Sequence, residues 1–60
     1  MSPKEKFYKI YGNLPLATRD EIILTINGEG ISWKVAKLYI DQNSSISQEI
    51  LDKLDALKII

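Results

Sequence analysis

The chain has 60 residues, 45% apolar and 27% charged, with eight Lys and Arg against eight Asp and Glu. That length supports one domain, residues 1–60, at the small end of what a single core can sustain. The balanced charge supplies no overall field toward nucleic acid, membrane or acidic ligands. Neither Cys nor His occurs, so disulfides, thiolate and imidazole metal sites, thiol nucleophiles and the usual general base near neutral pH are excluded. No cofactor and no metal is expected. No apolar run approaches the roughly 20 residues of a bilayer span. The start, Met1-Ser2-Pro3-Lys4-Glu5-Lys6, lacks the apolar stretch of a secretory signal. The expectation is a small soluble cytoplasmic domain with no membrane partner.

Four segments follow in chain order. Ser2-Pro3-Lys4-Glu5 reads as a helix start, with Ser2 as N-cap, Pro3 at the first helical position and Glu5 three residues after the cap. Phe7, Ile10 and Tyr11 then form an apolar stripe at i, i+3 and i+4, while Lys4, Lys6 and Lys9 stay wet. Gly12-Asn13 stops this helix and Leu14-Pro15-Leu16 turns the chain. In the second segment, Thr18-Arg19-Asp20-Glu21 has capping-box spacing, and Asn27-Gly28 can end a helix. The run Ile22-Ile23-Leu24-Thr25-Ile26 is also β-branched enough for a buried strand, with Asn27-Gly28-Glu29-Gly30 as a hairpin loop. Helix is favoured, because the best pairing partner, Ile31–Ile40, alternates only as far as Val35.

The third segment opens on Ser32 as N-cap. Val35, Leu38 and Tyr39 share one helical face, and Trp33, Ala36 and Ile40 an adjoining one. A helix apolar over so wide an arc is central to the fold or lies between the fold and a partner. Asp41-Gln42-Asn43-Ser44 ends it. In the fourth segment Ser45 or Ser47 caps a helix with a stripe of Ile46, Ile50, Leu51, Leu54 and Leu57. Glu49 and Lys53 form an i, i+4 pair on its wet side. Ile59-Ile60 is an apolar end expected to dock.

Few constellations carry chemistry. Glu49, Asp52 and Asp55 lie within one sector of the last helix, but a solvated face matched by Lys53 and Lys58 explains them better than a cation or acid/base site. The serines lack a histidine base and fit capping and turn roles. Asn27-Gly28-Glu29-Gly30 is a turn, since a phosphate loop would want more backbone amides and a Lys at the following helix start, whereas here Glu29 repels an anion. Lys4, Lys6, Lys9, Lys34 and Lys37 interleave with Phe7, Tyr8, Tyr11, Trp33 and Tyr39, the composition of a single-stranded nucleic-acid surface. Periodicity places several of those rings in the core, leaving Trp33 as the ring expected to be half exposed.

Ile31-Ser32 through Ile60 resembles the second half of a helix-turn-helix or winged-helix domain. A short helix carrying Val35-Ala36 leads through a turn to Ile46-Ser47-Gln48-Glu49-Ile50-Leu51-Asp52-Lys53-Leu54. The closing Leu57-Lys58-Ile59-Ile60 looks like a recognition helix running into a first wing strand. The resemblance departs in a longer polar turn, in a chain that stops where the wing would begin, and in acidic residues on the helix that would meet phosphate.

These readings converge on a mainly α fold, a compact helix-turn-helix-like bundle of three to four short helices. The alternative is an α+β domain with a hairpin at about 20–35 packed on C-terminal helices. A short chain with no staple and ten isoleucines has too little interior to hide its aliphatic load. The functional expectation is therefore a non-enzymatic interaction module acting through an apolar surface, with Trp33, Ile40, Ile59 and Ile60 as interface candidates. Its partner would be a second copy, as a homodimer, or another protein. The alternative is a small nucleic-acid-binding protein using the Lys4, Lys6, Lys9, Lys34 and Lys37 face.

Overall fold

The computed structural model describes every residue from Met1 to Ile60. In chain order it holds α1 (Pro3–Gly12), a 3-10 helix (Leu16–Asp20), β1 (Ile22–Ile26), β2 (Glu29–Ser32), α2 (Trp33–Asp41) and α3 (Ser45–Ala56). The fold is mainly helical with one antiparallel β-hairpin. α1 starts as its sequence dictates. The Ser2 hydroxyl accepts from the Glu5 amide at 3.2 Å and donates to the Glu5 carboxylate at 3.2 Å, with Pro3 opening the first turn.

The second segment corrects the helical expectation. Thr18–Glu21 does not cap a helix. It completes a single 3-10 turn, after which Ile22–Ile26 runs extended. Asn27 and Gly28 decide the matter, with φ of 53° and 82°. Two consecutive left-handed residues make the hairpin turn whose twist matches that of its flanking strands, and Ile26 pairs directly with Glu29 across it. Alternation then buries Leu24 and Ile26 and leaves Thr25 outside. The pairing partner is only the four residues Glu29–Ser32, far shorter than the Ile31–Ile40 run considered from sequence. Near the open end Ile22 pairs with Ser32 but Leu24 with Ile31, so β1 carries one extra residue as a bulge. There β2 passes straight into α2, whose first turn is capped by Ser32 accepting from the Val35 amide at 3.1 Å.

The ends of α2 and α3 share one device. Asn43 adopts φ 52°, and the Asn43 and Ser44 amides donate back to the Ile40 and Tyr39 carbonyls at 3.0 and 3.3 Å. This is a Schellman closure, and it allows only Gln42–Ser44 between the two helices. Ser44 is also the first boundary residue of α3, in the place expected of Ser45 or Ser47. Ser47 is buried and donates its hydroxyl to the Ser44 carbonyl at 2.6 Å. At the far end Lys58 takes φ 58°, and the Lys58 and Ile59 amides donate to the Asp55 and Leu54 carbonyls at 3.1 and 2.9 Å. The same closure folds Ile59 and Ile60 back against the core. The hairpin precedes the two helices, whereas the resemblance to a winged-helix domain would place a strand after them.

Phe7, Leu24, Ile26, Ile31, Trp33, Ala36, Ile40, Ile50, Leu51 and Leu54 form the core. Phe7 is its hub, with ring centroids 5.8 Å from Tyr8, 5.8 Å from Tyr11 and 5.7 Å from Trp33. The stripe expected on α3 holds at Ile50, Leu51 and Leu54 but fails at Leu57, which is 61% exposed. Leu57 lies one residue past the helix, immediately before the chain reverses at Lys58.

A candidate interaction surface on the second helix

α2 is amphipathic in an unusual sense, because its outward face carries aliphatic side chains among its charged ones. Trp33, Ala36 and Ile40 are buried, whereas Val35 and Leu38 are 36% and 56% exposed. The geometry follows from 3.6 residues per turn. Leu38 stands two residues from both Ala36 and Ile40, about 160–200° around the helix from each. It therefore points nearly straight away from the core. An open, shallow groove runs along this face, lined by Tyr11, Lys34, Val35, Lys37, Leu38 and Asp41.

The rim of the groove is polar and internally paired. Tyr8 donates a short hydrogen bond to the Asp41 carboxylate, whose other oxygen lies 2.6 Å from the Lys37 ammonium. The hydrogen bond to Asp41, with lesser contributions from burial and from the carboxylate charge, pushes the Tyr8 phenol up to about 12. Asp41 is held below the ordinary carboxylate value, first by the hydrogen bond from Lys37 and then by that from Tyr8. Lys34 Nζ lies 3.1 Å from Asp20 Oδ1, tying α2 to the 3-10 helix. On the other side the Arg19 guanidinium sits 4.4 Å from the Tyr11 ring centroid and donates to the Tyr11 carbonyl at 3.1 Å. Tyr11 is thereby clamped as the floor of the groove, and the Lys37 ammonium also stands 5.7 Å from its ring.

The residues singled out from sequence scatter. Trp33 and Ile40, read as interface candidates, are 6% and 1% exposed and belong to the chain's own core. Ile59 and Ile60 are half-buried and pack onto that core. Trp33 follows directly from β2 and stacks toward Phe7, which explains why the ring expected to be half exposed is covered. Of the five lysines, Lys6 pairs with Asp55 at 3.4 Å, Lys34 with Asp20 and Lys37 with Asp41, while Lys4 and Lys9 project freely. The structure brings Lys34 and Lys37 together on the groove, and places Lys6 against α3. The acidic residues of α3 also have partners: Glu49 with Lys53 at 3.8 Å, Asp52 with the Gln48 amide at 2.9 Å, and Asp55 with Lys6. No three of these groups converge to hold a metal ion.

The residues missed from sequence are Val35 and Leu38. Their signal was present in the width of the apolar arc of α2, of which a core can cover only one side. No protein-family model matches the chain, and no curated protein or solved structure matches it.

Proposed function

We propose that this protein is a non-enzymatic interaction module that associates with a second copy of itself through the outward face of α2. One observation carries the reading: Leu38, with Val35 beside it, is an aliphatic side chain directed away from the core over an open groove. A helix that presents apolar side chains on both faces leaves one of them unpartnered, and covering it removes apolar area from water at about 25 cal/mol per Å². The ionisable groups at the groove do not favour catalysis. The Tyr8 phenol is pushed up to about 12, and Asp41 is tied to Lys37 in a partly exposed ion pair. A nucleic-acid surface is less well supported, because three of its five lysines are ion-paired and the Phe7 and Trp33 rings are buried.

Sedimentation equilibrium tests the proposal. Between about 10 µM and about 1 mM the mass should rise from the 6.8 kDa of one chain toward twice that value, the range expected for a weak association. Leu38→Glu should abolish the rise while leaving the circular dichroism spectrum unchanged. A wild-type chain that stays at monomer mass throughout the range defeats the reading.

A further inference from the structure

The outward face of α2 carries its charges in the reverse of the order a helix favours. Lys34 is the second residue of α2 and Asp41 the last, whereas the helix dipole favours anions at the N-terminus and cations at the C-terminus. Both side chains remain open to solvent, Lys34 at 66% and Asp41 at 40%, so each has room for a second partner beside its internal one. Lys34, Leu38 and Asp41 stand at i, i+4 and i+7 and thus form one stripe, with Leu38 near its middle. Read along the helix the stripe is cation, aliphatic, anion, with Lys37 flanking it and paired to one oxygen of Asp41.

Such a stripe complements a copy of itself in one orientation. Side by side in parallel, two copies would set Lys34 against Lys34 and Asp41 against Asp41. Turned by a two-fold axis through Leu38, they set each Lys34 against the partner's Asp41, with the two leucines in contact at the axis. The antiparallel arrangement also places each helix end beside the oppositely charged end of its neighbour.

We infer that the self-association proposed above occurs as an antiparallel, two-fold pairing of α2 helices, with Leu38 on the axis and Lys34 facing the partner's Asp41. The inference rests on that reading of the groove and adds its geometry. The nine residues of α2 span only about 13 Å. This contact therefore buries well under the roughly 800 Å² per partner of a standard stable interface. The dimer is accordingly weak, and its affinity falls as salt rises, because its flanking charges are exposed.

The absence of native cysteine makes the geometry readable by disulfide trapping under mild oxidation, at a concentration where light scattering detects dimer. Leu38→Cys should cross-link to itself. An equal mixture of Lys34→Cys and Asp41→Cys should give the mixed disulfide in excess over either homodisulfide. Asp41→Cys removes the Tyr8 and Lys37 contacts, so the unmodified chain provides a second measurement. Isotope-filtered NOEs between labelled and unlabelled copies should connect Leu38 to Leu38 and Lys34 to Asp41. A dimer in which the Lys34→Cys homodisulfide dominates, or in which the Leu38–Leu38 NOE is missing, overturns the antiparallel arrangement and leaves self-association standing. Monomer mass at every concentration overturns both.

Discussion

Leu54→Ala sets the packing argument its hardest test. Leu54 is 0% exposed in the last turn of α3, where its carbonyl accepts from the Ile59 amide and ties the helix end to the closing turn, so neighbouring side chains cannot relax readily into the space it vacates. Truncating a leucine in such a site costs about 2–5 kcal/mol. At about 0.05–0.15 kcal/mol per residue, a chain of this size is worth roughly 3–9 kcal/mol in total. The variant should therefore lose most of its stability. Leu57, three residues on, is 61% exposed, and Leu57→Ala should change stability by less than about 0.5 kcal/mol. Asp52→Ala, which removes only a surface hydrogen bond from Gln48, should be equally mild. Urea melts at micromolar protein, followed by circular dichroism and by fluorescence of the buried Trp33, compare the three directly. If Leu57→Ala costs as much as Leu54→Ala, the closing turn after α3 has been misread and the last residues pack differently.

Lys58 holds a left-handed conformation that costs an L-residue free energy, so Lys58→Gly should stabilise the chain by about 0.5–1 kcal/mol in the same melts. A neutral or destabilising result would place the energy of that closure elsewhere. Gly28 has φ 82° with no atom near its missing Cβ; Gly28→Ala should cost about 1–2 kcal/mol through backbone strain alone. The Tyr8–Asp41–Lys37 cluster sets two pH limits. The raised Tyr8 value means its contribution is intact below the ordinary tyrosine value of about 10 and is lost as pH climbs toward about 12. The lowered Asp41 value means its contribution is intact above the ordinary carboxylate range and is lost as pH falls through the folded value. Subtracting the ultraviolet titration of Tyr8→Phe from that of wild type isolates the Tyr8 transition, and a midpoint near 10 would remove the hydrogen bond to Asp41.

Helix starts were the most legible part of the sequence, because caps act over three or four residues. Ser2 and Ser32 both accept from the amide three residues on, as their positions predict. The hairpin was also written locally, in Asn27-Gly28, but a rival local signal stood upstream. Capping-box spacing at Thr18–Glu21 and β-branched density at Ile22–Ile26 point to different structures, and a pairing test against Ile31–Ile40 favoured the wrong one. The strand needed only the four residues ending at Ser32, and the bulge relaxed the register enough for β2 to feed α2 without a loop. The end of α2 was legible in Asp41-Gln42-Asn43-Ser44, since asparagine tolerates the positive φ that Asn43 adopts. The closing turn at Lys58 was not, because its positive φ is imposed by the tertiary fold and no propensity marks a lysine for that role.

The proposed interaction surface was legible as a surplus and illegible as a location. Counting ten isoleucines in sixty residues establishes that some apolar area must stay outside, and the arc of α2 names the helix involved. Which side faces inward depends on what docks against it. Trp33 continues the line of β2, where Ile31 is already buried, and its ring meets Phe7 from α1. Once Trp33 is fixed there, Ala36 and Ile40 must follow it inward at their helical spacing, and Leu38 must face out. A decision made at one residue, by contacts from two other elements, thus selects the outward face of the whole helix. The exposed ion pair between Lys34 and Asp20 runs from that face to the 3-10 helix, and Leu38 is left on the outward side.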